Sequence, residues 1–595
     1  MSTTIKPTEQ GTAFLTTPVN ESADKIFTLE QRDDEQRWIA ESSATFVARE
    51  VQPKSNAIDH QEPGVLATLL KQAGEQGLLS IDVPEAYGGA ELGLLTSSLV
   101  AAEQREASFS VAFGAHTTIG TLPIVYYGNE EQKEKYLPKL ASGEWIASYA
   151  LTEPGVGSDA MNISTRAELS PDGKHYILNG TKQWITNAGF ADLMIAFARI
   201  DGNRPSAFIV EAKWPGVSTG AEEHKMGIKG SSTRQVYFED AHIPVENLLG
   251  EIHKGYKIAF NILNIGRLKL GAGTVGGSRS ALGLAATYTT ERKAFGKFLH
   301  EFGMVKKKLA RMAAETYAAE SEVFRTAANM ARAQQNAEGN TDAVFQGLEE
   351  YSIEASIAKV HASETLAFVV DEGVQIFGGY GFMQEYPIEK AYRDARIQRI
   401  FEGTNEINRT VAAGTLFRRV LAGKLDLMGR YPGIEARVKS GNQPVLNLEA
   451  AVPAELHTAV AALERAKDVT IYSAMRVALK LMQALEQEQE FIDYLANLLI
   501  ELYAVDSALA RAIQAARRGD ENSHVHSQLA QLATWLAFAR INTNLDQMIM
   551  SYTDADKVER ELARVRTYLG DYQLNGVALQ REIAALVVER QGYPL

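Results

Sequence analysis

The sequence contains no cysteine, no long apolar run and no excess of basic residues. Without cysteine there can be no disulfide, no thiolate metal ligand and no cysteine nucleophile, which suits a reducing compartment. Because no run of about 18 apolar residues occurs, the sequence predicts no membrane span. The formal net charge of −14 argues against nucleic acid as the main partner, since phosphate binding needs basic patches. The polar stretch 1–15 lacks a signal-peptide core, so we expect a cytoplasmic protein.

Metal and nucleophile motifs are also missing. There is no two-histidine helix motif, calcium loop, P-loop or nucleophile elbow. Residues 271–276, Gly-Ala-Gly-Thr-Val-Gly, match the dinucleotide-binding fingerprint in letters. The residues before this match have helical rather than strand character, so close helix packing is the better interpretation. We therefore predict neither a metal site nor a Rossmann site.

The chain of 595 residues is long enough for about three or four domains. Helical and strand-like spacing, with Pro- and Gly-rich breaks, predicts a mostly α protein with an inserted β-domain that is barrel-like or sandwich-like. The predicted regions are a loosely ordered N-terminus at 1–28, a helical domain at 29–147, the β-domain at 148–250, a second helical domain at 251–430, a linker at 431–452 and a C-terminal helical domain at 453–595. The long helices predicted in the second helical domain are 256–291, 304–334, 345–377 and 387–425.

Glu402, which lies between Phe401 and Gly403, is the most informative residue. A carboxylate beside an aromatic residue and shielded from water has a raised pKa, because burial disfavours its charged form. Such a group could act as a base that removes a carbon-bound proton. Gly403 would let the backbone approach a ligand, and Thr404 offers a hydroxyl. The alternative is that Glu402 is only an acid at the start of a helix.

Two stretches around the predicted β-domain could contact a large ligand. Residues 152–159, Thr-Glu-Pro-Gly-Val-Gly-Ser-Asp, predict a tight loop whose N–H groups can face a polar ligand, although a surface turn has the same composition. Trp184 and Thr186 lie at the end of a predicted strand. An indole beside a hydroxyl could hold a flat cofactor, but an ordinary core tryptophan is an equally good interpretation.

Two helix ends have unusual composition. Arg292, Lys293 and Phe295 could bind a diphosphate and an adenine, or could compensate the helix dipole. Residues 375–382 end another helix with more glycine than capping requires. This favours close approach to a ligand or to another subunit.

Taken in order, these motifs resemble the acyl-CoA dehydrogenase family. The matching stretches are Tyr-Ala-Leu-Thr-Glu-Pro-Gly-Val-Gly-Ser-Asp at 149–159, Trp-Ile-Thr-Asn at 184–187, Glu-Arg-Lys-Ala-Phe-Gly at 291–296, Gln-Ile-Phe-Gly-Gly-Tyr-Gly at 375–381 and Phe-Glu-Gly-Thr-Asn at 401–405. The extra C-terminal region, Gly-Ala-His at 114–116 and Glu-Phe-Gly at 301–303 are similar to the very-long-chain branch.

The resemblance implies a four-helix domain after the β-domain, bound FAD, and oxidation of fatty acyl-CoA to trans-2-enoyl-CoA in fatty acid β-oxidation. It makes Glu402 the base that removes the α-proton, while the β-hydrogen passes to FAD as hydride. The FAD-binding residues that it implies within one subunit are Tyr149, Leu151, Thr152, Ser158, Trp184, Ile185, Thr186, Thr404 and Glu406. Those that it implies from a neighbouring subunit are Arg292, Phe295, Gln375, Ile376, Gly378 and Gly379. The implied residues for CoA and substrate are Ser158, Phe260, Leu263, Asn264, Arg267 and Gly403.

The resemblance further implies an electron-transferring flavoprotein as acceptor and a homo-oligomer, either a dimer or a tetramer. Gly114, Ala115 and Gly120 would deepen an acyl tunnel if they line it, so we expect long-chain substrates. An acyl-CoA oxidase or other flavin oxidase and a non-catalytic acyl-CoA-binding protein are the alternatives. For the C-terminal helices, packing on the core with a solvated basic face is favoured over peripheral membrane contact, because a strong cationic excess is missing.

Overall fold

The computed structural model describes residues 10–337, 341–448 and 452–595. It is mostly helical with one inserted β-domain, which confirms the fold class expected from the sequence. The helices before the β-domain are α1 Val19–Ser22, α2 Asp34–Phe46, α3 Ser55–Asp59, α4 Val65–Glu75, α5 Gly93–Glu103, α6 Ala107–Gly114, α7 Leu122–Tyr127 and α8 Glu130–Ser142.

The β-domain is one sheet whose strand order differs from the chain order. Its strands are β1 Ala147–Ala150, β2 Arg166–Leu169, β3 His175–Thr186, β4 Leu193–Ile200, β5 Pro205–Glu211, β6 Val217–Glu222, β7 Thr233–Pro244 and β8 Leu248–Leu249. The strands lie in the order β6-β7-β3-β2-β4-β5-β8, and β1 pairs in parallel with β4. Because side chains alternate along β1, Ala150 enters the core of the sheet while Tyr149 packs with the helical domains.

A large helical body follows the sheet, with a short hairpin of β9 Lys293–Ala294 and β10 Lys297–Phe298. Its helices are α9 Gly255–Glu291, α10 Gly303–Gln335, α11 Thr341–Glu350, α12 Ser352–Phe377, α13 Pro387–Ala395, α14 Asn405–Leu421, α15 Leu427–Ser440, α16 His457–Leu481, α17 Gln489–Arg517, α18 Ser523–Tyr552, α19 Val558–Leu569 and α20 Gly576–Glu589. A Cβ on Gly276 of α9 would lie 1.8 Å from the Ala102 oxygen of α5. The interpretation of residues 271–276 as a helix-packing segment is therefore confirmed.

The prediction of one continuous helix over 387–425 is wrong. Helix α13 ends at Ala395, and α14 begins only at Asn405. Glu402 and Gly403 between them have φ of 56° and 79°, which no right-handed helix can contain. The break places the turn that carries Glu402 between two helices.

The prediction that residues 1–28 are loosely ordered is wrong for residues 10–28, and residues 1–9 lie outside the described residues. Phe14 and Val19 are buried against the C-terminal helices, and the Val19 N–H donates to Glu464 Oε1 at 3.1 Å. Apolar residues are sparse in this segment, but nearly all of them face the core. Tertiary burial orders the segment despite its polar composition.

The prediction of a linker over 431–452 is also wrong for its first part. Helix α15 continues through Pro432 to Ser440 because Ile434 and Val438 are buried against α16. Gly441, with φ 76°, ends the helix. Residues 442–448 are irregular, and 449–451 lie outside the described residues.

The C-terminal helices pack on α10, α12 and α14 through a broad apolar core. The basic side of α16 is partly exposed, as expected from the sequence, and its side chains have partners. Arg465 donates to the Leu569 carbonyl at 2.8 Å, and Lys480 pairs with Asp554 at 2.8 Å. Within the described ranges, no helix combines the length and apolar character that a bilayer crossing requires.

Candidate active site

A cavity of about 2550 Å³ lies among the N-terminal helices, the β-domain and α9. It brings together residues that are far apart in the sequence. The predicted site residues that line it are Tyr149, Leu151, Thr152, Ser158, Trp184, Ile185, Thr186, Phe260, Leu263, Asn264, Arg267, Glu402 and Gly403. The cavity thus contains most of the residues expected to contact FAD within the subunit and all of those expected to contact substrate.

The Glu402 carboxylate is a buried acid at the wall of this cavity. Its Oε2 is inaccessible to solvent and has no hydrogen-bond partner. A Cβ on Gly266 of α9 would lie 2.7 Å from this oxygen, so the absence of a side chain there makes room for the carboxylate. Burial raises the pKa of Glu402 to about 7, against the opposing effect of the positive charges of Arg267 and Lys359.

The backbone of Glu402 and Gly403 is held in its left-handed conformation by side chains from three helices. Arg267 Nε of α9 donates to the Glu402 carbonyl at 3.3 Å. Asn408 Nδ2 of α14 donates to the Gly403 carbonyl at 2.8 Å, and Lys359 Nζ of α12 donates to the same carbonyl at 2.8 Å. These bonds offset the strain of a non-glycine residue in this region of backbone space.

The loop after β1 is held in place by a buried ion pair between Lys182 and Glu153. Lys182 Nζ lies 2.7 Å from Glu153 Oε1 and donates to the Leu151 carbonyl at 3.3 Å. The Glu153 carboxylate also accepts hydrogen bonds from Ser164 and Thr165. This network keeps the pKa of Glu153 low, at about 2. It fixes the part of the loop that carries Leu151 and Thr152 along the cavity.

Trp184 lies in an irregular segment of β3, where the pairing with β7 shifts between Lys182 and Ile185. The residue has φ of 57°, and its side chain is 60% exposed on the cavity wall. Such a bulge redirects a side chain out of the regular strand pattern. An exposed indole on a concave wall offers a stacking surface for a flat aromatic group.

Tyr149 supplies a second buried polar atom without a partner. Its hydroxyl makes no hydrogen bond, and its pKa lies well above the usual value because of burial and the nearby charge of Glu402. A ligand with donors and acceptors would satisfy buried groups of this kind. The Trp184 ring and the free atoms of Tyr149 and Glu402 therefore fit FAD with an acyl thioester.

Arg267 and Asn264 form a rigid polar pair on α9. The Arg267 Nη1 donates to Asn264 Oδ1 at 2.9 Å, and both residues are buried. Phe260 and Leu263 continue along the cavity from this pair, and Phe260 is partly exposed. These residues form one wall of the cavity that also contains Glu402.

Thr404 and Glu406 lie at the start of α14. The Thr404 hydroxyl accepts a hydrogen bond from the Ile407 N–H at 3.3 Å and so caps the helix. Neither residue lines the cavity, and Glu406 is exposed.

The residues expected from a neighbouring subunit do not join Glu402 within one chain. They lie where α9 and α12 end, and the Arg292 guanidinium is 5.5 Å from the centre of the Tyr380 ring. Phe295 is 96% exposed, whereas Ile376 is buried. Gln375, Gly378 and Gly379 are exposed. We call the exposed set Arg292, Phe295, Tyr380, Phe382 and Met383 the terminal patch.

The expected tunnel residues do not all line the cavity. Gly114 and Ala115 do, and a Cβ on Gly114 would meet no atom within 4 Å. Gly120 does not, which corrects the sequence expectation. A Cβ there would lie 2.6 Å from the Ala147 Cβ, so Gly120 permits close packing against β1.

His116 is a structural residue of the π-helix Ala115–Gly120. Its Nδ1 accepts from the Ala147 N–H at 2.9 Å, so Nε2 carries the proton and donates to the Leu140 carbonyl at 3.0 Å. Burial lowers the pKa of His116 to about 4. The neutral ring ties the cavity wall to β1.

Sequence analysis missed three residues that shape the site, Gly266, Lys359 and Asn408. A signal for Gly266 was present, because a glycine inside a helix and beside Arg267 has no capping role and indicates close approach. Lys359 is the only lysine of α12 and is flanked directly by Ala358 and Val360, which gives only a weak signal. Asn408 gave no signal, since its role depends on the left-handed turn before it.

Comparison with known protein families covers most of the chain. Models described as acyl-CoA dehydrogenase N-terminal, middle and C-terminal domains match residues 33–144, 148–241 and 253–417. A further model, also described as an acyl-CoA dehydrogenase C-terminal domain, matches residues 465–567. The chain belongs to the acyl-CoA dehydrogenase family.

Individual relatives agree with this assignment. A probable acyl-CoA dehydrogenase of Bacillus subtilis is 42% identical over 593 residues, covering 98% of each chain. The human mitochondrial very long-chain specific acyl-CoA dehydrogenase is 36% identical over 523 residues, covering 82% of this chain and 76% of the human protein. The crystal structure of an acyl-CoA dehydrogenase complexed with FAD from Bacillus anthracis has a TM-score of 0.95 and 43% identity, covering 99% of this chain and 100% of that one. The expected family, the enzyme class and the dependence on FAD are confirmed.

Proposed function

We propose that the protein oxidises long-chain fatty acyl-CoA to trans-2-enoyl-CoA in fatty acid β-oxidation, with Glu402 as the base. The observation that carries this proposal is the Glu402 carboxylate. It is buried beside the cavity, its Oε2 has no partner, and its pKa is raised to about 7. A carboxylate in this state is basic enough to take a proton near neutral pH.

In the proposed reaction, bound FAD supplies the acceptor for the hydride that leaves the β-carbon, and the protein supplies the base. Glu402 takes the α-proton onto a carboxylate oxygen, and exclusion of water keeps that oxygen basic. Arg267, Asn408 and Lys359 hold the turn, so the carboxylate stays in one orientation.

The cavity contains groups suited to hold FAD and CoA. Within the subunit, the residues that would hold FAD are Tyr149, Leu151, Thr152, Ser158, Trp184, Ile185 and Thr186. Thr404 and Glu406, which the resemblance also implies, lie outside the cavity at the start of α14. Those that would hold CoA and the acyl thioester are Ser158, Phe260, Leu263, Asn264, Arg267 and Gly403. Support comes from the exposed indole of Trp184 and from the polar pair of Arg267 with Asn264.

A homo-oligomer would complete the FAD site. The terminal patch combines exposed aromatic and apolar side chains with the Arg292 cation, as an interface that also binds a diphosphate would require. We infer that Arg292, Phe295, Gln375, Ile376, Gly378 and Gly379 contact FAD of a neighbouring subunit. Electrons would then leave to an electron-transferring flavoprotein, as the family resemblance implies.

Absorption spectroscopy of the purified holoprotein tests the proposed function. Anaerobic palmitoyl-CoA should bleach the flavin band rapidly, and butyryl-CoA should do so more slowly. The reduced protein should then reoxidise slowly in air and rapidly with an electron-transferring flavoprotein. Fast reoxidation in air with peroxide formation would instead identify an oxidase, and an unchanged spectrum would identify a non-catalytic binding protein.

A further inference from the structure

Lys359 has a buried amine whose contacts differ from those of two other buried lysines, Lys182 and Lys467. This residue lies on α12, and its side chain is fully buried. Nζ donates to the Gly403 carbonyl at 2.8 Å and to Asn405 Oδ1 at 2.7 Å. Lys182 and Lys467, by contrast, each donate directly to a carboxylate. Both acceptors of Lys359 lie just after Glu402 in the sequence.

The turn that Lys359 contacts is one that the chain does not favour by itself. Two successive residues, Glu402 and Gly403, have positive φ. A non-glycine residue is disfavoured in this region of backbone space, so contacts from elsewhere in the chain must hold it there. Without them the turn would relax, and the carboxylate would leave its place beside Gly266.

Helix α12 holds the segment after the turn at a second point. Asn405 Nδ2 donates to Ser363 Oγ at 3.1 Å and to Glu364 Oε1 at 3.0 Å. Since Asn405 Oδ1 accepts from Lys359, its amide is held at both ends by α12. The orientation of the turn therefore depends on a few polar side chains of this helix.

We propose that Lys359 is a positioning residue for the base, because its amine fixes the Gly403 carbonyl and Asn405 and so holds the turn that directs the Glu402 carboxylate into the cavity. This inference rests on the proposed function only in taking Glu402 as the base. Lys359 does not touch the reacting atoms. It acts through the backbone of its neighbours and through its charge.

The charge of Lys359 has a defined effect on Glu402. Burial lowers the pKa of Lys359 to about 7, while the negative charges of Glu402, Glu364 and Glu406 raise it and the positive charge of Arg267 lowers it. The ammonium form stabilises the Glu402 carboxylate and so lowers the pKa of that carboxyl group. Removing the amine should therefore raise the pKa of Glu402 and move the acid limb of the rate profile to higher pH.

The test compares Lys359→Met, Lys359→Arg and Lys359→Gln in the holoprotein. We expect Lys359→Met to reduce its flavin with palmitoyl-CoA about 10- to 100-fold more slowly, because misplaced catalytic groups lose rates of this size. The acid limb should move to higher pH by about 1, the size that loss of a nearby opposite charge can produce. Affinity for trans-2-hexadecenoyl-CoA should change little, and amide exchange of residues 402–405 should accelerate.

Lys359→Arg should keep the acid limb of the wild type, since it keeps the charge. Lys467→Met is the matched control. It removes an equally buried ammonium that lies far from the cavity and pairs with Asp506. This control should lower thermal stability and leave the acid limb in place.

An unchanged rate, acid limb and amide exchange in Lys359→Met would overturn the proposal. If Lys359→Met does not retain flavin, the comparison of Lys359→Gln with Lys359→Arg tests the proposal instead. Both Lys359→Gln and Lys359→Arg keep a donor, but only Arg keeps the charge, so identical acid limbs in the two would contradict the proposed charge effect. Wild-type protein that palmitoyl-CoA cannot reduce would contradict the proposed function itself, and amide exchange would still report on the turn.

Discussion

Glu402 joins a buried carboxylate to a left-handed backbone, and both features make it costly to the folded state. Its pKa is raised from 4.5 to about 7, so the folded protein binds this proton more tightly than the unfolded chain does. The stability that it contributes is complete below about pH 4.5 and is lost as the pH rises through about 7. At pH 8 the loss is on the order of 3 kcal/mol, because each tenfold difference in proton affinity corresponds to about 1.4 kcal/mol.

Replacing Glu402 by Gln tests both roles of the carboxylate. Turnover with palmitoyl-CoA should fall by about 10³-fold, as expected when a general base is removed, while FAD remains bound. The melting temperature should rise at pH 8 and stay unchanged at pH 4, because only the ionised carboxylate is destabilising. A variant that turns over near the wild-type rate would refute the assignment of the base.

Gly266→Ala tests whether the carboxylate needs the space beside α9. The added Cβ would approach Glu402 Oε2 to 2.7 Å and the carboxyl carbon to 3.1 Å, so the acid must move. We expect flavin reduction to slow by about 10- to 100-fold with flavin content preserved. Gly283→Ala on the same helix is the control, because its Cβ would meet only the Gln591 oxygen at 3.7 Å and should leave the rate unchanged.

At the scale of the element, the walls of the cavity include helix ends and strand irregularities. Helix α6 ends at Gly114, where the chain passes into the π-helix Ala115–Gly120. A π-helix widens the backbone spiral and often accompanies a functional site. Gly114, at the end of α6, lines the cavity, whereas Gly120, at the end of the π-helix, packs against β1.

Gly114→Leu should shorten the acyl space. Its Cβ has open space around it, so the protein should fold normally with the side chain inside the cavity. We expect the rate with palmitoyl-CoA to fall more than about tenfold relative to that with butyryl-CoA, since a bulky side chain opposes long chains selectively. Steady-state kinetics across chain lengths would check this. Gly120→Ala should instead lower the melting temperature without changing the preferred length, and equal loss with both substrates in Gly114→Leu would contradict the tunnel.

Sequence patterns identified some elements for physical reasons that the structure makes clear. The helical character of the residues around 271–276 predicts a helix there, and α9 is indeed helical on both sides of them. The break at Glu402 was not recognised, because its positive φ is stabilised by Lys359 and Asn408, which are distant or uninformative in sequence.

The N-terminal segment was missed for a related reason. Its few apolar residues are buried by α16 and α17, and no local pattern reports a partner so far along the chain. Pro432 has the opposite effect, because it predicts a linker where the structure has a helix. A proline is a strong local break signal, yet burial of one side of α15 outweighs it.

At the scale of the whole molecule, the terminal patch is a set of aromatic and apolar side chains that one chain leaves exposed. Its exposed aromatic residues and Arg292 lie away from the cavity of the same chain. An interface there would bury the apolar side chains and supply a cation to FAD of the other subunit.

Phe295→Asp tests this interface. A charge in place of a 96% exposed aromatic residue should leave the fold intact but weaken association, because burying an unpaired charge is costly. Light scattering should show dissociation, and the absorption spectrum should show loss of FAD. Trp38→Asp on α2, another exposed aromatic residue, is the control and should keep both the mass and the flavin of the wild type. Retention of the assembly and of FAD by the Phe295 variant would contradict the interface.

The packing of residues 10–28 also determines the order in which the molecule can be assembled during synthesis. The N–H of Val19 has its hydrogen-bond partner only after Glu464, 445 residues later in the chain, has been synthesised. Domains fold as they leave the ribosome, so the catalytic region can form early while its first residues remain unburied. These contacts can form only after α16 has been synthesised, so a ribosome that stalls before α16 would leave residues 10–28 without the helix against which they pack.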